Sequence, residues 1–279
     1  MDETFEYYSI IRYNKEKQLL ERSFIPMKWK RLLSALMALI LFCLPVTASA
    51  MEVHHIGMGN VVITSQGSYN KNEKVMYLTF DDGPGPYTDK LLDILKKNNV
   101  KATFFVTNGY PKYRSCIARE AKEGHMVAVH SYSHNYKTIY SSEKAYWDDY
   151  KKMDDIIYEQ TGRRATMMRF PGGSSNTVSR HYSKGIMTRL SRGAAQRGIV
   201  YTDWNAMAGD AGEVTTSDGV YRYIVNTTGR KKQVVVLCHD IKPYTVNAMD
   251  RVIKWGKQNG YQFRAMTPGG YIVHQKIAN

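Results

Sequence analysis

Val75-Met76-Tyr77-Leu78-Thr79-Phe80-Asp81-Asp82-Gly83-Pro84 begins as an apolar run, closes on two adjacent carboxylates and stops at a Gly-Pro turn. A buried strand that ends this way delivers acidic side chains to the rim of a sheet or barrel. Farther along, Met126-Val127-Ala128-Val129 reads as a second strand, and His130-Ser131-Tyr132-Ser133-His134 sits just past its end. One carboxylate and two imidazoles form a common ligand set for a catalytic divalent metal, because they leave positions open for water and substrate. The other carboxylate is then free to act as a base. Alone, an Asp-Asp pair before Gly-Pro reads as a turn with a helix cap, and many His pairs at this spacing bind nothing. Together, and followed by three more polar strand ends, they favour the metal site.

Strands and helices alternate outward from this stretch. A helix is expected from Thr88, as its cap, to Asn98-Asn99, with Leu91, Leu92, Ile94 and Leu95 on one face. Strands follow at 102–106 and 126–129, with a helix around Cys116 to Glu123 between them. Ser142 opens a long helix closed by Gly162. Strands at 166–170, 199–201, 234–238 and 261–263 and helices near 185–197, 217–228 and 246–259 complete the pattern. About seven β/α units in a single α/β domain imply a parallel sheet, either closed as a barrel or open and doubly wound. In both, function collects at the carboxyl ends of the strands, where the polar motifs fall.

The 279 residues are 43% hydrophobic and 23% charged, ample for a core and unlike a disordered chain. The net charge of +14 favours an anionic partner such as nucleic acid, a membrane surface or an acidic wall polymer. The basic residues are scattered, and Arg230-Lys231-Lys232 reads as a solvated turn, so no nucleic-acid partner is expected.

Met27-Lys28-Trp29-Lys30-Arg31, an apolar stretch from Leu32 to Leu44, and Pro45-Val46-Thr47-Ala48-Ser49-Ala50 form the three parts of a secretory signal peptide. The expected domain plan is 1–26, a cytoplasmic extension or mis-assigned start; 27–50, the signal peptide; 51–74, a linker; 75–268, the catalytic domain; and 269–279, a C-terminal tail. The protein is expected to be secreted or cell-wall associated, with transient membrane contact through the signal segment or retention by it as an anchor, and to act as a monomer. Cys116 and Cys238 are expected as free thiols beyond the signal segment, since a disulfide-stapled secreted protein carries more cysteine.

The three further strand ends are Arg169-Phe170-Pro171-Gly172-Gly173, Asp203-Trp204-Asn205 through Asp210, and Leu237-Cys238-His239-Asp240. With them in place, residues 75–268 resemble the polysaccharide deacetylases, the carbohydrate esterases that share the chitooligosaccharide deacetylase domain. The resemblance implies a distorted β/α barrel and metal-dependent removal of N-acetyl or O-acetyl groups from a glycan. It makes Asp81 the general base, Asp82, His130 and His134 the ligands of a divalent ion (usually Zn²⁺, or Co²⁺), and His239 the acid that protonates the departing amine. Arg169 resembles the family arginine that hydrogen-bonds the base, and a bidentate fork would orient Asp81 and keep its pKa low. The turn at Pro171-Gly172 is expected to supply a backbone N–H, that of Gly172, for the oxyanion. Leu237, Trp204 and Tyr132 complete the expected substrate-binding set.

Two departures stand out. The carboxylate that tunes the acid in many relatives falls on Val200 or Met207, so Asp203 or Asp210 must take over. Asp203 is favoured because it directly follows a strand, which holds it firmly. Gly172 stands where many relatives have Tyr. Tyr87, Tyr110 and Tyr136 also lie near motif ends, although core or surface packing is the ordinary role of such aromatics. The expected activity is N-deacetylation of a cell-wall glycan, peptidoglycan or a chitooligosaccharide-like polymer. The alternatives are an O-acetyl polysaccharide esterase, a glycan-binding protein without catalysis, and a metal-dependent phosphodiesterase. The last would want a second metal and more carboxylates near the His pair.

Overall fold

The computed structural model describes residues 70–279 and, as backbone, the strand 62–64. The extension, the signal segment and most of the linker lie outside the described residues. The strands are β1 (Val62–Thr64), β2 (Val75–Asp81), β3 (Thr103–Val106), β4 (Met126–Val129) and β5 (Met167–Met168). They continue with β6 (Val200–Tyr201), β7 (Ala206–Met207), β8 (Gln233–His239), β9 (Gln262–Phe263) and β10 (Ile272–His274). The helices are α1 (Thr88–Lys97), α2 (Ser115–Lys122), α3 (Tyr136–Ile139) and α4 (Glu143–Thr161). After them come α5 (Ser179–Tyr182), α6 (Ile186–Gln196), α7 (Ser217–Thr228) and α8 (Pro243–Gln258).

Every residue of β2 is buried. It pairs in parallel with β8 along its whole length, with β3 from Thr79 onward, and with β9 at Val75 and Met76. The sheet order is β6-β5-β4-β3-β2-β8-β7. The continuous apolar runs of β2 and β8 are what a parallel strand buried on both faces requires. Alternation sorts β2: Met76, Leu78 and Phe80 join the core shared with the helices, whereas Val75 and Tyr77 line a second cluster with Phe105, Met167 and Val235. Thr79 and Asp81 continue that second face, which is the inside of the curl. In β8 the same parity puts Val235, and so His239, inward.

The barrel is distorted because it does not close. β6 and β7 are neighbours in sequence yet occupy opposite edges of the sheet. The chain from Thr202 to Asn205 crosses this seam, where Val273 O accepts the Asp203 N–H at 2.7 Å. The segment expected as a tail is therefore part of the fold: β10 pairs antiparallel with β1, and Tyr271, Ile272 and Val273 are buried. β1 lies within the segment expected as a linker.

Local signals hold in α4, where Ser142 accepts a hydrogen bond from Ala145 N–H and Gly162 ends the helix at φ 71°. Thr88 is not a cap: Tyr87 occupies that position, and the Thr88 hydroxyl accepts from Gly85 N–H and donates to Asp240. The strand expected over 166–170 is cut to two residues, because Arg169 and Phe170 already begin the turn into the site. Cys116 and Cys238 are buried free thiols.

Candidate active site

Parallel pairing brings the ends of β4, β3, β2 and β8 to one edge, with Asp81 in register with His239. Asp82 and His134 then turn their side chains inward from left-handed backbone, at φ 74° and 50°. Non-glycine residues adopt that region only when the surroundings hold them there. Gly83 follows at a position where a Cβ would overlap the buried Asp240 carboxylate, so no side chain fits there.

His134 Nε2 lies 3.5 Å and His130 Nε2 3.7 Å from Asp82 Oδ1. These three residues form a group that fits one metal ion. The donor chemistry supports the fit. Asp82 Oδ1 is buried without a hydrogen-bond partner among the described residues. His130 Nδ1 donates to Arg169 O at 2.9 Å, which leaves Nε2 with its lone pair facing Asp82. Burial lowers the His130 pKa to about 3, so the ring is neutral, as a ligand must be.

Asp81 is 2% exposed, with Oδ2 3.8 Å from His130 Nε2. Its Oδ1 accepts from Arg169 Nη1 at 2.8 Å. The guanidinium is fully buried and spreads over four partners: Nη1 also donates to Thr79 Oγ1, Nε to Thr202 O and Nη2 to Asp203 O. The contact with Asp81 is thus a single bond rather than a bidentate fork. The Asp81 pKa is raised, since burial outweighs the lowering by Arg169.

His239 Nε2 approaches Asp82 Oδ2 at 4.0 Å, and its Nδ1 donates to Asp210 Oδ1 at 2.9 Å. Asp210 Oδ2 accepts from His239 N–H and from Thr245 Oγ1, each at 2.8 Å. Burial works against the imidazolium, yet the hydrogen bond and charge of Asp210, reinforced by Asp81 and Asp82, carry the His239 pKa up to about 9.

Asp210, not Asp203, is therefore the partner of His239. The Asp203 carboxylate faces the other way and accepts from Ser174 N–H, Ser174 Oγ and Gln275 N–H. It anchors the loop after Gly172 to the C-terminal segment, while its carbonyl steadies Arg169. Proximity to a strand end favoured Asp203 in the sequence, but β6 ends at the open seam, whereas Asp210 follows β7 beside β8.

Among the expected substrate residues, Pro171 is fixed by Tyr140, whose hydroxyl donates to Pro171 O at 2.7 Å. Gly172 has φ 75°. Trp204 packs against Gly173 and over the Arg169 guanidinium, 5.6 Å from the ring centroid. Tyr132 is half-buried beside the His pair, and Leu237 is buried on the inward face of β8, two residues before His239.

Sequence reasoning missed Asp149. Its carboxylate accepts from Ser131 Oγ, Tyr132 N–H and Ser133 N–H, gripping the loop between the two histidines. A signal existed: an acid on the buried stripe of α4 that carries Tyr146, Tyr150 and Met153.

Residues 68–188 match the profile of the polysaccharide deacetylases. The chain is 34% identical over 213 residues to a peptidoglycan-N-acetylglucosamine deacetylase of Bacillus cereus, covering 72% of this chain and 73% of that protein. Among solved structures it resembles the catalytic domain of a peptidoglycan N-acetylglucosamine deacetylase from Eubacterium rectale, with TM-score 0.75 and 49% identity over 76% of this chain and 97% of that one. A polysaccharide deacetylase from Bacillus cereus superposes with TM-score 0.62 and 31% identity, over 70% and 93% of the two chains.

Proposed function

Because the chain belongs to the polysaccharide deacetylase family, we propose that it is an exported, metal-dependent hydrolase that removes N-acetyl groups from peptidoglycan. One observation carries the reading: a buried carboxylate, an Asp-His-His cluster and a histidine held by Asp210 converge at the ends of β2, β4 and β8. A protein that only bound glycan would have no use for an acid and a base on either side of a ligand cluster.

Asp82, His130 and His134 would hold the ion, Zn²⁺ by the mixed nitrogen and oxygen donors, with Co²⁺ as a substitute. When bound, a divalent ion lowers the pKa of water and polarises the acyl oxygen. Asp81 takes the proton from the attacking water, and Arg169 fixes the carboxylate for that transfer. The N–H of Gly172 donates to the acyl oxygen as negative charge grows there. His239 gives the proton on Nε2 to the amine nitrogen as the C–N bond breaks. Water is consumed, and acetate and a free amino sugar leave.

The polymer is inferred from the names of the relatives and from the net charge of +14, which suits an anionic wall. Export rests on segment 27–50; the protein touches the membrane transiently there and works as a monomer outside the cell. The test is incubation with peptidoglycan and with chitooligosaccharides, scoring released acetate and new amines by mass spectrometry. Chelation should abolish acetate release, and Zn²⁺ or Co²⁺ should restore it. Full turnover in the metal-free protein refutes the proposal.

A further inference from the structure

The hydroxyl of Tyr136 stands over Gly172. A Cβ built on Gly172 would lie 2.6 Å from Tyr136 Oη and 3.1 Å from Asn176 Cβ, so the space beside this backbone is already filled by a side chain from the start of α3. The tyrosine ring is held edge-on between His134, at 5.5 Å, and Tyr140, at 5.6 Å. Tyr140 in turn holds Pro171 O, so the phenol and the turn share one rigid support. Among the described residues no protein group pairs with the Tyr136 hydroxyl. The side chain is half-buried, so the hydroxyl is left for solvent or a ligand to meet. Its edge contact with His134 places the ring beside the Asp-His-His cluster.

We propose that Tyr136 is a further catalytic residue, whose hydroxyl donates to the acyl oxygen beside the Gly172 N–H. It thereby makes a two-donor oxyanion site from the first residue of α3 and the turn after β5. This inference rests on the deacetylase reading given above. Preorganised donors aimed at a developing charge cost nothing to reorganise as the reaction proceeds, and the clamped phenol meets that condition. Gly172 is then a requirement of the tyrosine: any side chain at 172 would push the hydroxyl away from the oxygen it serves.

The test compares the purified protein with Tyr136→Phe, which keeps the ring and its packing and deletes only the hydroxyl. Removal of one such donor typically costs ~10²–10³ in kcat; the expected loss is ~10–10²-fold because Gly172 N–H remains, with KM changed less than about twofold. Bound metal and Tm should match the wild type, since the hydroxyl makes no protein hydrogen bond. Acetate, the product, should bind the variant several-fold more weakly in an NMR titration. Wild-type kcat together with wild-type acetate affinity in Tyr136→Phe overturns the inference. A raised KM alone, with kcat intact, overturns it as well. A wild-type protein that releases no acetate from either glycan instead overturns the deacetylase reading, and the acetate titration still reports whether the hydroxyl faces the acyl site.

Discussion

In the proposed reaction His239 acts as an acid only while its ring carries a proton on Nε2, and Asp210 is the partner that favours this state. With a pKa near 9, the imidazolium persists through neutral pH and is lost as pH rises past that value, which sets an alkaline limb on activity. Asp210→Asn removes the charge and weakens the Nδ1 bond, leaving burial to dominate. A charge-assisted hydrogen bond is worth about 1.5–3 kcal/mol, so the limb should move down by about one to two pH units in a pH–rate profile. Asp203→Asn should leave the limb in place and lower turnover at all pH values, because it loosens the Arg169 and Ser174 supports. An unmoved limb in Asp210→Asn would mean that another group delivers the proton. Asp81, Asp82, His130, Arg169 and His239 were legible in the sequence because each lies at or one residue past a strand end in a parallel array, and His134 because it follows His130 by four. The choice between Asp203 and Asp210 was not, since sequence shows distance from a strand but not where the sheet is open. Nor could it show that Arg169 divides its guanidinium among four acceptors, a consequence of its complete burial.

At the scale of elements, α4 does more than cover the sheet. Its Asp149 is 7% exposed and takes three donors from the loop that separates His130 from His134. That loop has no regular hydrogen bonding of its own across its middle, so a side chain from the helix stands in for a backbone partner. Asp149→Ala strands Tyr132 and Ser133 N–H and lets the two imidazoles separate. Loss of outer support of this kind typically weakens metal binding ~10–100-fold. Competition with a chelator should show such a drop, while circular dichroism reports an intact helix. Metal affinity equal to wild type would mean that the loop holds its shape unaided. The long elements, β2, β8 and α4, could be read from apolar runs, the Ser142 cap and the terminal Gly162. β7 and β10, at two and three residues, carry too little pattern to be seen and exist only because their neighbours supply edges to pair with.

On the scale of the whole molecule, the open seam between β6 and β7 is closed by the C-terminal segment. Tyr271 stacks on Tyr77 at 6.2 Å, and Ile272 and Val273 fill the inner cluster. Val273 O and Gln275 N–H both hold Asp203, whose carbonyl accepts from Arg169, which orients Asp81. A continuous line of hydrogen bonds therefore joins the C-terminal segment to Asp81, the proposed base. Fully burying side chains of this size contributes about 1.5–3 kcal/mol each, so removal of residues 271–279 should cost about 6 kcal/mol. For a domain of this size that corresponds to a fall of roughly 12–24 °C in Tm. Turnover should fall further than the folded fraction, since Arg169 loses its fixed carbonyl at Asp203 as the seam loosens. Thermal unfolding followed by circular dichroism, with acetate release measured well below the lowered Tm, separates the two effects. A truncated protein with wild-type Tm and turnover would mean that the segment rides on the surface and leaves the barrel to hold its own seam.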